Sequence, residues 1–247
     1  MKKIYLFIIS IPVILYSAGI QAQDPVQDSV TIPLKVRAGM EVSGPVIYFT
    51  DKNILNLEYY LLGDLNERLS LYVAGGYSSY SYSRYNYDYQ SKGPFMRAGV
   101  DINLLKPETA KGKYWGGIGL HYGMSVFSSA TPFFKEDDYW GTTSSSITAK
   151  HYSGHYIEVA PGFRAELFKN LSIGWSVSLR KQLFYKASGD IRPIFIPGYG
   201  NGEKGFSAGI SYFIVWNFRF KEIIVPVKQE APEETEETAP VTAGRSN

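Results

Sequence analysis

The sequence contains no cysteine among its 247 residues. That absence excludes disulfides, thiolate metal sites, a cysteine nucleophile and anchoring through a lipidated N-terminal cysteine. Beyond the N-terminus no run of about twenty apolar residues occurs, so no helix of the mature chain is expected to cross a bilayer. Charge of one sign is also scarce. Lys and Arg number 25 against 23 Asp and Glu, too even a balance for the field that holds nucleic acid. Histidine is limited to His121, His151 and His155. Glu136, Asp137 and Asp138 lack the spacing of a calcium loop, so neither a metal nor a cofactor is expected.

Tyrosine (20) and glycine (24) are abundant, and they fall into period-two patterns. The clearest is FSAGISYFIVWNFRF at residues 206–220. One face carries Phe206, Ile210, Ile214, Trp216, Phe218 and Phe220; the other carries Ser207, Gly209, Ser211, Asn217 and Arg219. This length exceeds the usual strand of about five or six residues and suits a tilted bilayer crossing. Seven further segments alternate in the same way, at 34–43, 54–64, 69–80, 94–105, 113–127, 151–168 and 171–185. In each, one face is apolar and the other is richer in glycine, serine, tyrosine or charge.

The connections alternate too: longer after the first, third, fifth and seventh segments, shorter after the second, fourth and sixth. Long outer loops and short periplasmic turns have this rhythm. The reading is an all-β fold, a transmembrane antiparallel up-and-down β-barrel of about eight strands over residues 33–220. A soluble barrel is the rival, and it would place the apolar face inside. Lys2, Lys3, the apolar stretch 4–16 and the small residues before Gln23 predict a signal peptide at 1–22. Residues 23–32 are then a periplasmic N-terminal segment. Residues 221–247, rich in Glu and Pro, predict a disordered acidic periplasmic tail. Within it EIIVPV at 222–227 is β-prone, and reads either as the fraying end of the last strand or as a segment that adds to a partner's sheet edge.

The MKK start, the eight alternating segments and the terminal ISYFIVWNFRF make the chain resemble small outer-membrane β-barrels of the Bacteroidota type, in a family of uncharacterised function. The resemblance covers roughly residues 33–220. It implies insertion into outer-membrane lipid by the barrel assembly machinery, and it carries no catalytic residue.

Parity assigns the candidate functional residues. Lys35, Arg37, Arg97, Arg164 and Arg180 share the inward face with Glu58, Asp101, Glu158 and Glu166. Eight strands enclose only enough room for side chains, and buried charges must pair, so an internal ion network and no open pore are expected. Residues 81–93 read as an outer loop or a strand extension beyond the membrane, and within YSSYSYSRYNYDY at 77–89 Tyr82, Tyr85 and Tyr87 form a rigid amphipathic contact surface. Phe133, Phe134 and Trp140 in the loop 128–150, with Phe195 and Tyr199 in the Gly/Pro-rich loop 186–204, extend that partner-binding surface, with a glycan or lipopolysaccharide face and packing of the loops on themselves as the other readings. Trp216, Phe218 and Phe220 mark the barrel-closing strand.

One pattern carries possible chemistry. His151 and Ser153 share parity, and His155 continues their row. A histidine beside a serine can deprotonate its hydroxyl, and the spacing resembles the His-x-Ser of lipid A deacylases. Glu158 and Glu166 have the opposite parity, so the carboxylate of that arrangement is missing. The expected function is therefore a non-enzymatic outer-membrane barrel, a scaffold or accessory subunit of a complex with an outer-membrane or periplasmic protein. A lipid-modifying hydrolase and a narrow channel are the alternatives.

Overall fold

The computed structural model of the chain describes residues 29–138, 141–187 and 192–226. The predicted signal peptide, residues 23–28, Trp140 and the tail beyond residue 226 lie outside the described residues. Strand β1 is Ser29–Glu41, followed by helix α1, Ser43–Thr50. Next come β2 (Ile54–Asp64), β3 (Leu69–Arg84) and β4 (Tyr87–Asn103). A short helix α2 (Pro107–Ala110) leads into β5 (Tyr114–Asp138), β6 (Gly141–Phe168) and β7 (Leu171–Ala187). Two-residue strands β8 (Phe195–Ile196) and β9 (Gly200–Asn201) precede the last strand, β10 (Phe206–Pro226). The long strands close into one antiparallel barrel, ordered β1-β10-β7-β6-β5-β4-β3-β2, while β8 and β9 pair only with each other.

Period-two alternation sorts the side chains, because successive residues of a strand point to opposite faces. The outer wall is apolar: Leu61 is 57% exposed, Val73 51% and Leu120 45%. The interior is charged: Arg97 is 4% exposed and Glu158 2%. A soluble barrel has the reverse arrangement. This one separates lipid from a polar lumen, as a transmembrane barrel does. Tight internal spacing also selects small residues. A Cβ built on inward Gly123 would stand 2.1 Å from the ring of Tyr156, so the ring occupies the space a larger residue would need.

Several segments differ from their sequence reading. The longer connection between the segments 34–43 and 54–64 holds most of α1. The Glu41 carboxylate accepts from the backbone N–H groups of Ser43 (2.7 Å) and Gly44 (2.8 Å), satisfying donors that a helix start leaves open. Residues 81–93 take the strand-extension form of the two readings, and the stretch expected as a loop at 128–150 is strand as well over its described residues. β3 and β4 pair out to Arg84 opposite Tyr87, and β5 and β6 out to Asp138 opposite Gly141. Their Ser, Thr and Tyr residues continue the backbone ladder beyond the apolar band, and the inward Tyr89, Ser91, Ser129 and Thr131 are still buried there. β10 runs to Pro226, beyond Phe220, so the first part of EIIVPV belongs to the closing strand. Leu34, read as outward and lipid-facing, is 6% exposed. It lies where the chain meets the connection after β4: Lys35 Nζ donates to the Gly112 carbonyl at 2.6 Å.

Candidate functional site

The lumen is filled from one end to the other. At the end where β1 enters the barrel, Lys35 pairs with Glu166 and Arg37 with Asp64. Arg219 also reaches Glu166, at 2.9 Å. Next, Tyr60, Leu62, Tyr72, Ala74 and Val215 form an apolar layer inside the barrel.

Beside it lies the main ionic cluster, with Glu158 at its centre. Glu158 accepts from Arg97 (2.8 and 2.9 Å), from Arg180 Nε (2.5 Å) and from His121 Nδ1 (2.9 Å). Arg97 also pairs with Glu58. His121 Nε2 lies 3.0 Å from Asp101, whose other oxygen is 3.8 Å from Arg164. Only an imidazolium can donate from both nitrogens, which is what two carboxylates on one ring require. Tyr72 stacks on that ring at 4.0 Å between centroids. The space left among these side chains is about 50 Å³, room for a few waters. Ligand pockets are usually at least about 300 Å³.

The far mouth is capped by residues 192–205. Ile196 and Tyr199 are 1% and 0% exposed and pack with Phe127, Tyr152 and Tyr156. The Phe195 carbonyl accepts from Ser91 Oγ at 2.9 Å, and Arg180 Nη1 donates to the Tyr199 carbonyl at 3.4 Å. Burial pushes the Tyr199 phenol above its ordinary pKa. Phe195 and Tyr199 therefore close the lumen and are not the exposed contact residues that the Gly/Pro-rich composition suggested. The burial available against Tyr89, Phe127 and Tyr156 draws this loop inward.

The other contact residues are brought together. Tyr82 pairs across the β3–β4 hairpin with Tyr89, and Tyr87 lies opposite Phe134 of β5. Tyr85 at the hairpin tip is 85% exposed, with Lys135 Nζ 5.0 Å from its ring centroid. Phe133 pairs with Asp88, in the same hairpin tower. Trp216, Phe218 and Phe220 are about half exposed on the outer face of β10.

On the wall, the serine of the His151, Ser153 and His155 row meets His155, not His151. Ser153 Oγ is 3.1 Å from His155 Nε2, and His155 Nδ1 is 2.7 Å from the Tyr122 hydroxyl. His151 is exposed. Sequence reading missed both His121 as the partner of Glu158 and Tyr122 as the partner of His155. Parity carried the first signal, because His121 shares the inward face with Gly117 and Gly119. The second depends on strand register. Among the described residues, no group of three or more His, Asp or Glu could hold a metal.

Solved structures of similar topology include Ail, the attachment invasion locus protein of Yersinia pestis, at 12% identity and a TM-score of 0.32, covering 78% of this chain and 100% of that one. CarO of Acinetobacter baumannii matches at 15% and 0.35, covering 76% and 98%. The N-terminal β-barrel domain of Pseudomonas aeruginosa OprF matches at 12% and 0.28, covering 78% and 98%. At such scores the fold rests on the strand ladder itself. No curated protein matches the chain in sequence. A family model described as a domain of unknown function, DUF6048, matches residues 3–222, and the chain belongs to that family.

Proposed function

We propose that this protein is a closed outer-membrane barrel that acts as a scaffold or accessory subunit and presents its hairpin tower to a protein partner. The carrying observation is the filled lumen: two ionic clusters, an apolar layer and the folded-in loop 192–205 leave no passage among the described residues. Function then falls to the wall and to the hairpins. The basic start and apolar stretch 4–16 support export, and the apolar wall supports residence in the membrane. Under this reading the hairpin end faces outward and the short turns face the periplasm.

Tyr82, Tyr85 and Tyr87 supply the rigid aromatic contacts that recur at protein interfaces. Purified in planar bilayers, the barrel is expected to pass no single-channel current. Removing residues 192–205 is expected to leave it closed, because the Glu158 cluster lies below the cap. Tagged protein drawn from native membranes is expected to keep a stoichiometric companion, released when these three tyrosines become alanine. Discrete conductance steps, or a companion indifferent to the tyrosines, would overturn the reading.

A further inference from the structure

A hydroxyl and an imidazole in contact on a wall that faces lipid need an explanation. Ser153, His155 and Tyr122 lie on the outward face of β5 and β6, in the same rows as Val126 and Ile157, which are 49% and 44% exposed. They sit near the boundary of the apolar band: Ser153 is opposite Val126, and the next outward pair, His151 and Ser128, is polar. The headgroup region begins at such a boundary, and there ester carbonyls of membrane lipids meet the hydrocarbon.

The wall is also altered at this point. β7 carries one extra residue, Leu183, so that His155 pairs with Phe184 and Tyr156 with Gln182. Without that bulge Phe184 would point inward, with Arg180 and Gln182. With it, the Phe184 ring turns out and stacks on His155 at 4.4 Å between centroids. Bulges of this kind occur next to active sites, where they re-aim a side chain.

We propose that Ser153, His155 and Tyr122 form a nucleophilic acyl-transfer site whose substrate class is an ester-linked acyl chain of a membrane lipid. The Tyr122 hydroxyl oxygen accepts a hydrogen bond from Nδ1–H of His155, which leaves Nε2 free as the base toward Ser153. Ser153 Oγ bonds to the ester carbonyl carbon as its proton moves to Nε2. The carbon–oxygen bond to the lipid alcohol then breaks, and that alcohol leaves with the proton from Nε2. Water attacks the resulting acyl-serine, gives its proton to Nε2, and releases the fatty acid as the serine hydroxyl is restored. Nothing is oxidised or reduced. Ser153 and His155 are the catalytic residues; Tyr122 and Phe184 position the ring.

The test uses the full-length barrel in detergent micelles, a fluorophosphonate probe and a long-chain p-nitrophenyl ester. The wild type is expected to take the label and release nitrophenol. Ser153→Ala abolishes both, and His155→Ala lowers them by about 100-fold or more. His151→Ala leaves them within about twofold, since it does not touch the serine. Labelling rises with pH in the wild type and loses that dependence in His155→Ala, a change that a merely structural histidine would not produce. Heat-modifiable migration on gels shows that each variant is folded. A folded wild type without label, label retained in Ser153→Ala, or activity that follows His151 would overturn the proposal. None of these outcomes bears on the hairpin tower.

Discussion

Glu158→Ala is expected to lower the stability of the folded barrel by about 3–5 kcal/mol, the usual cost of removing one partner from a buried ion pair. Glu158 holds three cationic side chains at once, and its own side chain is 1% exposed. Its loss leaves Arg180 without that carboxylate and leaves Arg97 with Glu58 alone. Neither guanidinium can leave a lumen closed above by Tyr156 and Tyr199. Guanidinium unfolding of the barrel in lipid vesicles, followed by tryptophan fluorescence, measures the change. Arg219→Ala is the contrast. That side chain is 40% exposed at the barrel's end, where water screens its pair with Glu166, and the expected cost is at most about 1 kcal/mol. Equal effects at the two positions would contradict the assignment of Glu158 as the hub of a buried cluster.

Leu120→Arg is expected to cost about 2–4 kcal/mol in the same assay, because a cation on the lipid face is most expensive near the bilayer midplane. Leu120 lies on β5 between Tyr114 and Val126, opposite Val100 and Val159 in the neighbouring strands. Ser128→Arg, eight residues further along the same face, leaves the apolar band and is expected to cost about 0–1 kcal/mol. The gradient is the informative feature. On a soluble barrel both positions would be ordinary surface sites, where substitutions usually fall within about 0.5 kcal/mol.

The barrel and its polarity were legible because lipid imposes a strict alternation on every spanning strand. Leu55, Leu57, Tyr59 and Leu61 can only share a face, and parity plus the need to neutralise charge puts Glu58 and Arg97 in one inward network, though their direct pairing is set across strands. That constraint stops at the membrane boundary. Thr142, Ser144 and Ser145 extend β6 with no apolar rhythm, so backbone pairing alone makes them a strand and the side chains give no sign of it. Residues 192–205 read as an exposed loop from their Gly and Pro content, since the pocket that receives Ile196 and Tyr199 is built from three other strands. The wall site shows the same limit. Parity places His151, Ser153 and His155 in one row, but the choice between the two histidines is made across strands by Tyr122 and by the Leu183 bulge.

The most direct test of the inside-out barrel uses the missing cysteines. Because the native chain has none, single substitutions Leu120→Cys, Met124→Cys and Tyr85→Cys can each carry one nitroxide label in lipid vesicles. Electron paramagnetic resonance then reads collisions with oxygen, which concentrates in lipid, and with a water-soluble nickel chelate. Labels at positions 120 and 124 are expected to be open to oxygen and shielded from nickel. The label at 85, at the exposed hairpin tip, is expected to be open to nickel. Nickel access at positions 120 and 124 would place that face in water and contradict the transmembrane barrel.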